Sequence, residues 1–338
     1  MRIIFCGTPE YAAPSLARLA SLVPRHEVVA VVSQPDKPKG RSGVPTPPPV
    51  VDAARKLGLP PAAILQPQSI NEPETLQRLG ALAADLLCVV AYGALLKKKA
   101  LALPRLCALN AHGSLLPKYR GAAPIQAALL AGDKETGVSI MGMVRGLDKG
   151  PLLLQRAIPI QPNDNAATLH DRLAALSAEC FAEAIARFEA GTAAFTPQDE
   201  AAASYAAKLE KDSGRMDWTK DAAFLERFVR AMNPWPGAWT TVSLPDGSQK
   251  LRVRVSRAGF RGHDPISGCL EIGIVSPESR LGVGLADGSG TDAAILVGCG
   301  DGGTVAVREV QPEGKRAMST AEFLRGAGRR FAADSHWE

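Results

Sequence analysis

Hydrophobic and polar positions follow two different patterns along the chain, and the first of them fills about 195 residues. Short apolar runs that end at a polar residue or a glycine are typical of buried strands. Between them, apolar residues recur at helical spacing, with Pro9 at a predicted helix start and Gly58 and Gly191 at predicted helix ends. The strand-like runs are RIIFCG, EVVAVVS, LLCVVAYG, LCALNAHG, TGVSIMGMV and LLLQRAIPI. This alternation predicts an α/β domain whose Rossmann-like, mostly parallel sheet is covered by helices on both faces.

The pattern changes after about residue 196. The polar stretch TPQDEAAASYAAKLEKDSG is typical of a connector, and one helix, DAAFLERFVRAM, follows it. Six short strand-like runs then come at intervals of about 8–12 residues, separated by Gly, Asp, Ser and Pro clusters, as in small β-barrels. We therefore predict a first domain over residues 1–195, a linker over 196–208 and a small OB-like barrel over 209–332.

Composition narrows the class of protein without changing this picture. A length of 338 residues suits two domains, and a net charge of +5 is compatible with a polyanionic partner. No secretory signal is recognisable, and no apolar stretch reaches the ~18 residues of a membrane helix. The six cysteines form no CxxC pair and no zinc-type spacing, which predicts buried thiols, no metal site and a reducing, cytoplasmic environment.

The segment LNAHGSLLPKYRGAAP places several polar residues directly after a strand-like run. Asn110 and His112 stand two apart, so both side chains project from the same face of one strand near its carboxyl end. Ligands of open α/β sheets bind beyond the carboxyl ends of the strands. A lone Asn-x-His pair also suits capping of a strand end, but Ser114 and the glycines at 113 and 121 favour a site.

Asp148, in the turn GLDKGP, is the carboxylate expected to complete this site. If the strand before it neighbours the strand of His112, Asp148 lies at the same edge of the sheet and orients the imidazole. Asp148 also suits the tight turn itself. No strong nucleophile is present, and no G-x-S-x-G motif marks Ser114 as one. The trio therefore suits direct attack of an amine on an activated carbonyl, with Asn110 donating to the oxyanion and His112 accepting a proton.

Three further stretches bear on the partner. FCGTPE resembles the first strand and loop of a nucleotide-binding domain but lacks G-x-G-x-x-G, which disfavours hydride transfer from a dinucleotide. The loop from Gln34 to Pro49 is long and basic, and KLRVRV alternates cations along one strand face. Solvated loops and strand faces also carry such charges, yet the two stretches together favour nucleic acid. The predicted contacts are Lys37, Lys39, Arg41, Lys250, Arg252 and Arg254.

Six segments stand out along the chain: FCGTPEYAAPSL, SQPDKPKGR, VVAYG, LNAHGSLLPKYRGAAPIQAALLAGDKETGVSIMGM, GLDKGPLL and NPWPGAWT. Together they resemble the methionyl-tRNA formyltransferase family over nearly the whole length. The resemblance implies transfer of a formyl group from 10-formyltetrahydrofolate to the α-amino group of methionine on initiator methionyl-tRNA. It implies catalytic roles for Asn110, His112 and Asp148, contact with the tRNA acceptor stem, and a cytoplasmic, monomeric enzyme that needs no metal.

The resemblance also implies where the two substrates bind. The folate would lie along Ser114, Leu115, Leu116 and Pro117, beside an apolar slot that includes Val90 and Tyr92. The insertion from Gln34 to about Pro49 would contact tRNA, with Arg41 in the place of a family arginine that meets the acceptor end. The chain departs from the family after Arg41, where SGVPTPPPV is poorer in basic residues.

Other functions share parts of this pattern. An N-formyltransferase for an amino-sugar nucleotide would use the same trio and folate donor, but it has no need of two basic stretches. A glycinamide ribonucleotide formyltransferase has no need of the second domain. A tRNA-binding protein with an inactive first domain has no need of an intact trio. The amino-sugar enzyme is kept as the alternative.

Overall fold

The computed structural model describes residues 1–38, 43–243, 248–260, 281–282, 294–326, 328 and 336–337. The contacts divide the chain into two compact units. The first unit contains Met1–Ile125, Lys134–Ile160 and Thr168–Ala207, and the second contains Gln126–Asp133, Gln161–Ala167 and Lys208–Glu338. Two short segments from the first half of the chain thus group with the second unit, and the domain borders at 195 and 208 stay a prediction.

Strands and helices alternate through the first 207 residues. The strands are β1 (Arg2–Gly7), β2 (Glu27–Val32), β3 (Lys37–Pro38), β4 (Pro45–Thr46), β5 (Ile64–Leu65), β6 (Leu86–Val90), β7 (Cys107–His112), β8 (Arg120–Gly121), β9 (Glu135–Gly142), β10 (Leu152–Pro159) and β11 (Tyr205–Ala206). The α-helices are α1 (Ala13–Ala20), α2 (Pro49–Lys56), α3 (Pro73–Gly80), α4 (Lys98–Leu101), α5 (Pro124–Ala131) and α6 (Ala166–Glu189), and single 3-10 turns cover Glu10–Ala12, Pro61–Ala63 and Glu200–Ala202.

Seven of these strands, all within the described residues, form the sheet of the first unit in the order β10-β9-β7-β6-β1-β2-β5. The pairs from β7 through β6, β1 and β2 to β5 are parallel, whereas β9 and β10 are antiparallel at the opposite edge. The predicted α/β fold with a mostly parallel sheet is confirmed. Parallel strands are covered on both faces, which explains why all five residues of β6 are apolar and buried.

The second unit contains an antiparallel sheet. Its strands are β12 (Ala238–Ser243), β13 (Lys250–Phe260), β14 (Leu281–Gly282), β15 (Ile295–Gly298), β16 (Thr304–Pro312), β17 (Met318–Ser319) and β18 (His336–Trp337), its α-helices are α7 (Ala222–Met232) and α8 (Thr320–Arg325), and a 3-10 turn covers Lys211–Gly214. The described pairs between these strands are antiparallel, and the register of β13 against β16 shifts on both sides of Arg257. Such irregularities bend a strand, and the sheet is a curled half-barrel, in agreement with the predicted class.

Local side-chain bonds fix the starts of α7 and α8. Asp221 accepts a hydrogen bond from the backbone N–H of Phe224 at 2.7 Å and caps α7. Ser319 and Glu322 form a reciprocal capping box at the start of α8. Each cap satisfies backbone donors that the helix itself leaves unpaired, which contributes about 1 kcal/mol to stability.

The cysteines of the described residues form no disulfides. Cys6, Cys88, Cys107, Cys180 and Cys299 are free thiols, and burial raises the pKa of Cys180 to about 11. In the same part of the chain, no group of three or more His, Cys, Asp or Glu residues is placed to hold a metal ion. None of the helices described there is both long and apolar enough to cross a bilayer.

Candidate active site

The strand β7 places Asn110 and His112 on one face of the sheet, at the end of a parallel run. Val89 of β6 lies opposite Asn110, so the two strands end side by side. The side chain of His112 is 7% exposed, and Asn110 is half-buried. The Asn-x-His spacing thus brings an amide and an imidazole to the sheet edge where α/β proteins bind ligands.

The surroundings of the His112 ring assign different roles to its two nitrogens. Its Nε2 lies 2.8 Å from the carbonyl oxygen of Tyr119. A carbonyl only accepts hydrogen bonds, so Nε2 carries a proton and donates. The other nitrogen, Nδ1, lies 3.6 Å from Oδ2 of Asp148, which is 13% exposed. Nδ1 is therefore the ring atom that can take up or release a proton next to a carboxylate.

The path that brings Asp148 to His112 differs from the prediction. β9 does neighbour β7, but it runs antiparallel, with Ser139 opposite His112 and Gly142 opposite Leu109. β9 therefore ends opposite Leu109, three residues before His112 on the neighbouring strand. Residues 143–150 then turn back and bring the Asp148 carboxylate to His112. An apolar run does not show whether its strand pairs parallel or antiparallel. The sequence therefore did not show at which end of β7 the turn after β9 lies.

A hydrogen bond and an unusual backbone conformation characterise Asp148. Its Oδ2 accepts a hydrogen bond from the backbone N–H of Gly121 at 2.8 Å. Its backbone has a φ of +52°, in the left-handed region that is uncommon for residues other than glycine, asparagine and aspartate. A conformation of that kind persists only where the surrounding contacts determine it.

The predicted folate segment is an ordered loop after β7. The Ser114 hydroxyl is fully buried and donates to the carbonyl of Lys118 at 2.6 Å. The hydroxyl of Ser139 donates to the carbonyl of Ser114 at 2.6 Å and accepts from the N–H of Leu116 at 3.0 Å. Gln155 donates to the carbonyl of Leu116 at 2.8 Å. These bonds from β9 and β10 fix the loop, and sequence reasoning did not identify Ser139 or Gln155.

The other predicted folate residues differ in accessibility. Leu115 and Pro117 keep part of their surface exposed, whereas Leu116 is 3% exposed. Val90 is fully buried at the end of β6, and Tyr92 is 2% exposed, with burial raising the pKa of its phenol to about 12. The carbonyl of Tyr92 accepts a hydrogen bond from the Thr8 hydroxyl at 2.7 Å. Of these predicted folate residues, Leu115 and Pro117 are the ones that keep surface a ligand could contact.

Sequence reasoning missed a buried arginine behind the site. The side chain of Arg120, on β8, is 0% exposed and lies against two residues of the stretch that was predicted to be a connector. Its Nη2 and Nη1 donate to the two carboxylate oxygens of Glu200 at 2.7 and 3.0 Å. Its Nε and Nη2 also donate to Oε1 of Gln198 at 3.1 and 2.8 Å. Arg120 is 78 residues from Gln198, and no local pattern signals the contact.

The ion pair between Arg120 and Glu200 predicts a difference in acid stability. Hydrogen bonding to the guanidinium lowers the pKa of Glu200 to about 2, from an unfolded value of about 4.3. A lowered pKa stabilises the folded state above the unfolded value, and that contribution is lost as the pH falls towards the folded value. We expect urea midpoints of wild type and Glu200→Gln to differ at pH 6 and to converge between pH 4.5 and 2 (from the two pKa values above).

Glu74→Gln, at an exposed position on α3, controls for the loss of one surface charge. A gap between wild type and Glu200→Gln that stays constant over the acid range would show that the ion pair does not contribute as described.

Comparison with known proteins decides the family. The formyl transferase model matches residues 1–185, and the model of the formyl transferase C-terminal domain matches residues 208–328. The methionyl-tRNA formyltransferase of Myxococcus xanthus is 44% identical over 325 residues, which cover 96% of this chain and 95% of that protein. The corresponding protein of Geobacter sulfurreducens is 41% identical over 326 residues, which cover 96% and 94%. The chain belongs to the methionyl-tRNA formyltransferase family.

Membership of this family makes the chain a formyl-transferring enzyme. Its fold is also similar to that of WlaRD, a sugar 3N-formyl transferase crystallised with dTDP and 5-N-formyl-THF. That similarity has a TM-score of 0.59 and covers 94% of this chain and 99% of the other, but at 14% identity it concerns the fold alone.

Four of the basic residues predicted to contact tRNA lie in the described part of the chain, and their environments differ. The guanidinium of Arg252, an exposed residue of β13, lies 3.7 Å from the centre of the Trp239 ring. Arg254 is half-buried and donates to the carbonyl of Pro234. Lys250 is exposed at the start of β13, and Lys37 is exposed on β3. Lys39 and Arg41 lie outside the described residues.

Proposed function

We propose that the chain transfers the formyl group of 10-formyltetrahydrofolate to the α-amino group of methionine on initiator methionyl-tRNA. The observation that carries this proposal is the identity of 41–44% to methionyl-tRNA formyltransferases over 96% of the chain. The convergence of Asn110, His112 and Asp148 supports it, because these groups suit acyl transfer to an amine. The enzyme would act in the cytoplasm, where charged tRNA is found, and as a monomer.

The proposed reaction is a direct displacement. The methionine nitrogen attacks the formyl carbon, a new C–N bond forms, and the bond between that carbon and N10 of the folate breaks. The amide of Asn110 donates to the oxygen of the tetrahedral intermediate, where charge develops. Nδ1 of His112 accepts the proton that the amine loses, and Asp148 stabilises the resulting imidazolium. The departing N10 takes up the proton that His112 accepted, so the reaction consumes no outside acid.

The folate co-substrate is proposed to lie along Ser114, Leu115, Leu116 and Pro117. The accessible surface of Leu115 and Pro117 suits a flat aromatic ring, and the bonds from Ser139 hold the adjacent backbone of Ser114 and Leu116 in place. Val90, at the end of β6, and Tyr92, just after it, are both buried, so they would offer little exposed surface to the ligand. A preformed loop of this kind lowers the entropy cost of binding.

The tRNA is proposed to contact Lys37, Lys39, Arg41, Lys250, Arg252 and Arg254. Of the described members of this set, Lys37, Lys250 and Arg252 are exposed, as contacts to phosphates require. Arg254 is already bonded to the Pro234 carbonyl, so its contribution to tRNA binding would be smaller. The family insertion, Gln34 to about Pro49, would meet the acceptor stem.

Arg252→Ala is expected to weaken tRNA binding by about 2- to 10-fold and to reduce the slope of log Kd against log salt by about 0.7–0.9, as the loss of one phosphate contact does. Filter binding between 50 and 200 mM salt (a range over which such contacts weaken strongly) measures both quantities. Arg55→Ala, which removes an exposed arginine from α2, is the matched control. An unchanged slope would remove Arg252 from the interface.

One assay separates the proposed activity from the alternative. The purified chain is incubated with 10-formyltetrahydrofolate and either charged initiator methionyl-tRNA or an amino-sugar nucleotide, and the formylated product is followed. We expect formyl-methionine on tRNA and no formylated sugar. The reverse outcome would replace the proposal with the amino-sugar activity.

A further inference from the structure

The buried arginine Arg120 stands at the start of a chain of contacts that ends at Asp148. Burying a guanidinium is costly unless its donors are paired, and here Glu200 and Gln198 pair them. Only the arginine of this ion pair is buried, since the side chain of Glu200 is 60% exposed. The position of Arg120 behind the proposed site raises the question of what it orients.

Arg120 fixes the orientation of the Gln198 amide. The guanidinium only donates, so Oε1 of Gln198 faces it and Nε2 points the other way. That Nε2 donates to the carbonyls of Asp148 at 2.8 Å and Gly150 at 2.7 Å. The reversed amide would set its NH₂ against the guanidinium and its oxygen against two carbonyls. One orientation thus satisfies the guanidinium and both carbonyls.

The segment that Gln198 holds has few other supports. Residues 144–147 are exposed, and Leu147 is 61% exposed. Asp148 itself adopts the left-handed φ of +52°, so its backbone needs contacts that determine it. The Gln198 amide bonds the backbone of Asp148 from one side, and the N–H of Gly121, the neighbour of Arg120, bonds the carboxylate from the other.

We propose that Arg120, Gln198 and Glu200 form a positioning network that sets the carboxylate of Asp148 against His112. None of the three touches the reacting atoms. Glu200 neutralises Arg120, Arg120 orients Gln198, and Gln198 holds the backbone on which Asp148 is carried. This inference rests on the proposed function for its catalytic consequence, but the ordering of residues 143–150 by Gln198 is independent of it.

A double-mutant cycle tests the catalytic consequence. Gln198→Ala is expected to lower kcat of formylation by about 10- to 100-fold and to change KM for either substrate by about 3-fold or less. In an Asp148→Asn background, the same substitution is expected to cost about 2-fold or less, because the group it positions is already lost. Equal losses of kcat in both backgrounds, or a loss confined to KM, would overturn the proposal.

Two variants keep this test independent of folding defects. Gln198→Glu retains the size of the side chain and accepts from Arg120 but, when ionised, cannot donate to the two carbonyls, so it is expected to match Gln198→Ala. Gln77→Ala, at an exposed position on α3, is the matched control and is expected to behave as wild type. Wild-type kcat in Gln198→Glu contradicts the proposal even if Gln198→Ala does not fold.

Hydrogen exchange distinguishes failure of the network from failure of the proposed function. Amides in residues 143–150 are expected to exchange at least about 5-fold faster in Gln198→Ala and Gln198→Glu than in wild type or Gln77→Ala. Wild type that does not formylate methionyl-tRNA, with this exchange difference present, overturns the function and supports the network. Unchanged exchange in this segment overturns the network whatever the activity.

Discussion

His112→Ala is expected to lower kcat for formylation by at least ~10²-fold, the usual loss when a general base is removed. The reason is geometric. Nε2 is engaged by the Tyr119 carbonyl, so Nδ1, 3.6 Å from the Asp148 carboxylate, is the nitrogen left to take the proton of the attacking amine. Losses of the same order are expected for Asn110→Ala, which removes the oxyanion donor, and for Asp148→Ala. Steady-state kinetics with saturating folate and methionyl-tRNA measure the effect.

The chain offers a matched control for this prediction. His170, on α6, lies 2.9 Å from Asp171 and forms a second His–Asp pair that is more exposed. His170→Ala is expected to retain kcat within about 2-fold, as substitutions away from a site do. Near-normal kcat in any one of the three site variants would remove that residue from the catalytic trio.

Gly121→Ala is expected to destabilise the protein by about 2–4 kcal/mol and to lower kcat as well. Gly121 has a φ of +115°, and a Cβ added there would lie 2.5 Å from the carbonyl oxygen of Ala206. That carbonyl accepts the N–H of Ala122 at 2.9 Å, within the pairing of β8 with β11. Relief of the overlap separates the two strands and moves the Gly121 N–H away from Asp148, which accounts for the loss of activity.

Gly58→Ala separates backbone strain from the steric overlap. Gly58 also has a positive φ, of +76°, but a Cβ there would meet no described atom within 4 Å. Its replacement is expected to cost about 1 kcal/mol and to leave kcat unchanged. Urea unfolding of both variants gives the comparison. If Gly121→Ala is no less stable than Gly58→Ala, the close approach to Ala206 does not constrain the site.

Much of the fold, and the placement of Asn110 and His112, followed from local sequence patterns. Apolar runs in β1, β2 and β6 identified parallel strands because such strands are buried on both faces. The spacing of Asn110 and His112 placed both at one strand end because side chains in strands repeat every two residues. Both inferences use information that lies within a few residues of the chain.

The remainder depends on contacts between distant segments. The antiparallel pairing of β9 with β7 joins separate segments of the chain and leaves no mark on the apolar run of β9. The polar stretch that contains Gln198 and Glu200 has the composition of a solvated connector, and only the fold shows that it pairs with Arg120. Arg254 likewise has the pattern of an open basic face, yet it bonds the Pro234 carbonyl.

The pairing of β11 with β8 has a practical consequence for dissecting the chain. Expression of a catalytic fragment that stops at residue 195 would delete Gln198, Glu200 and β11 together, leaving the guanidinium of Arg120 without its counter-ion. A truncation designed to keep the first unit intact should extend through Ala207, where the compact unit ends.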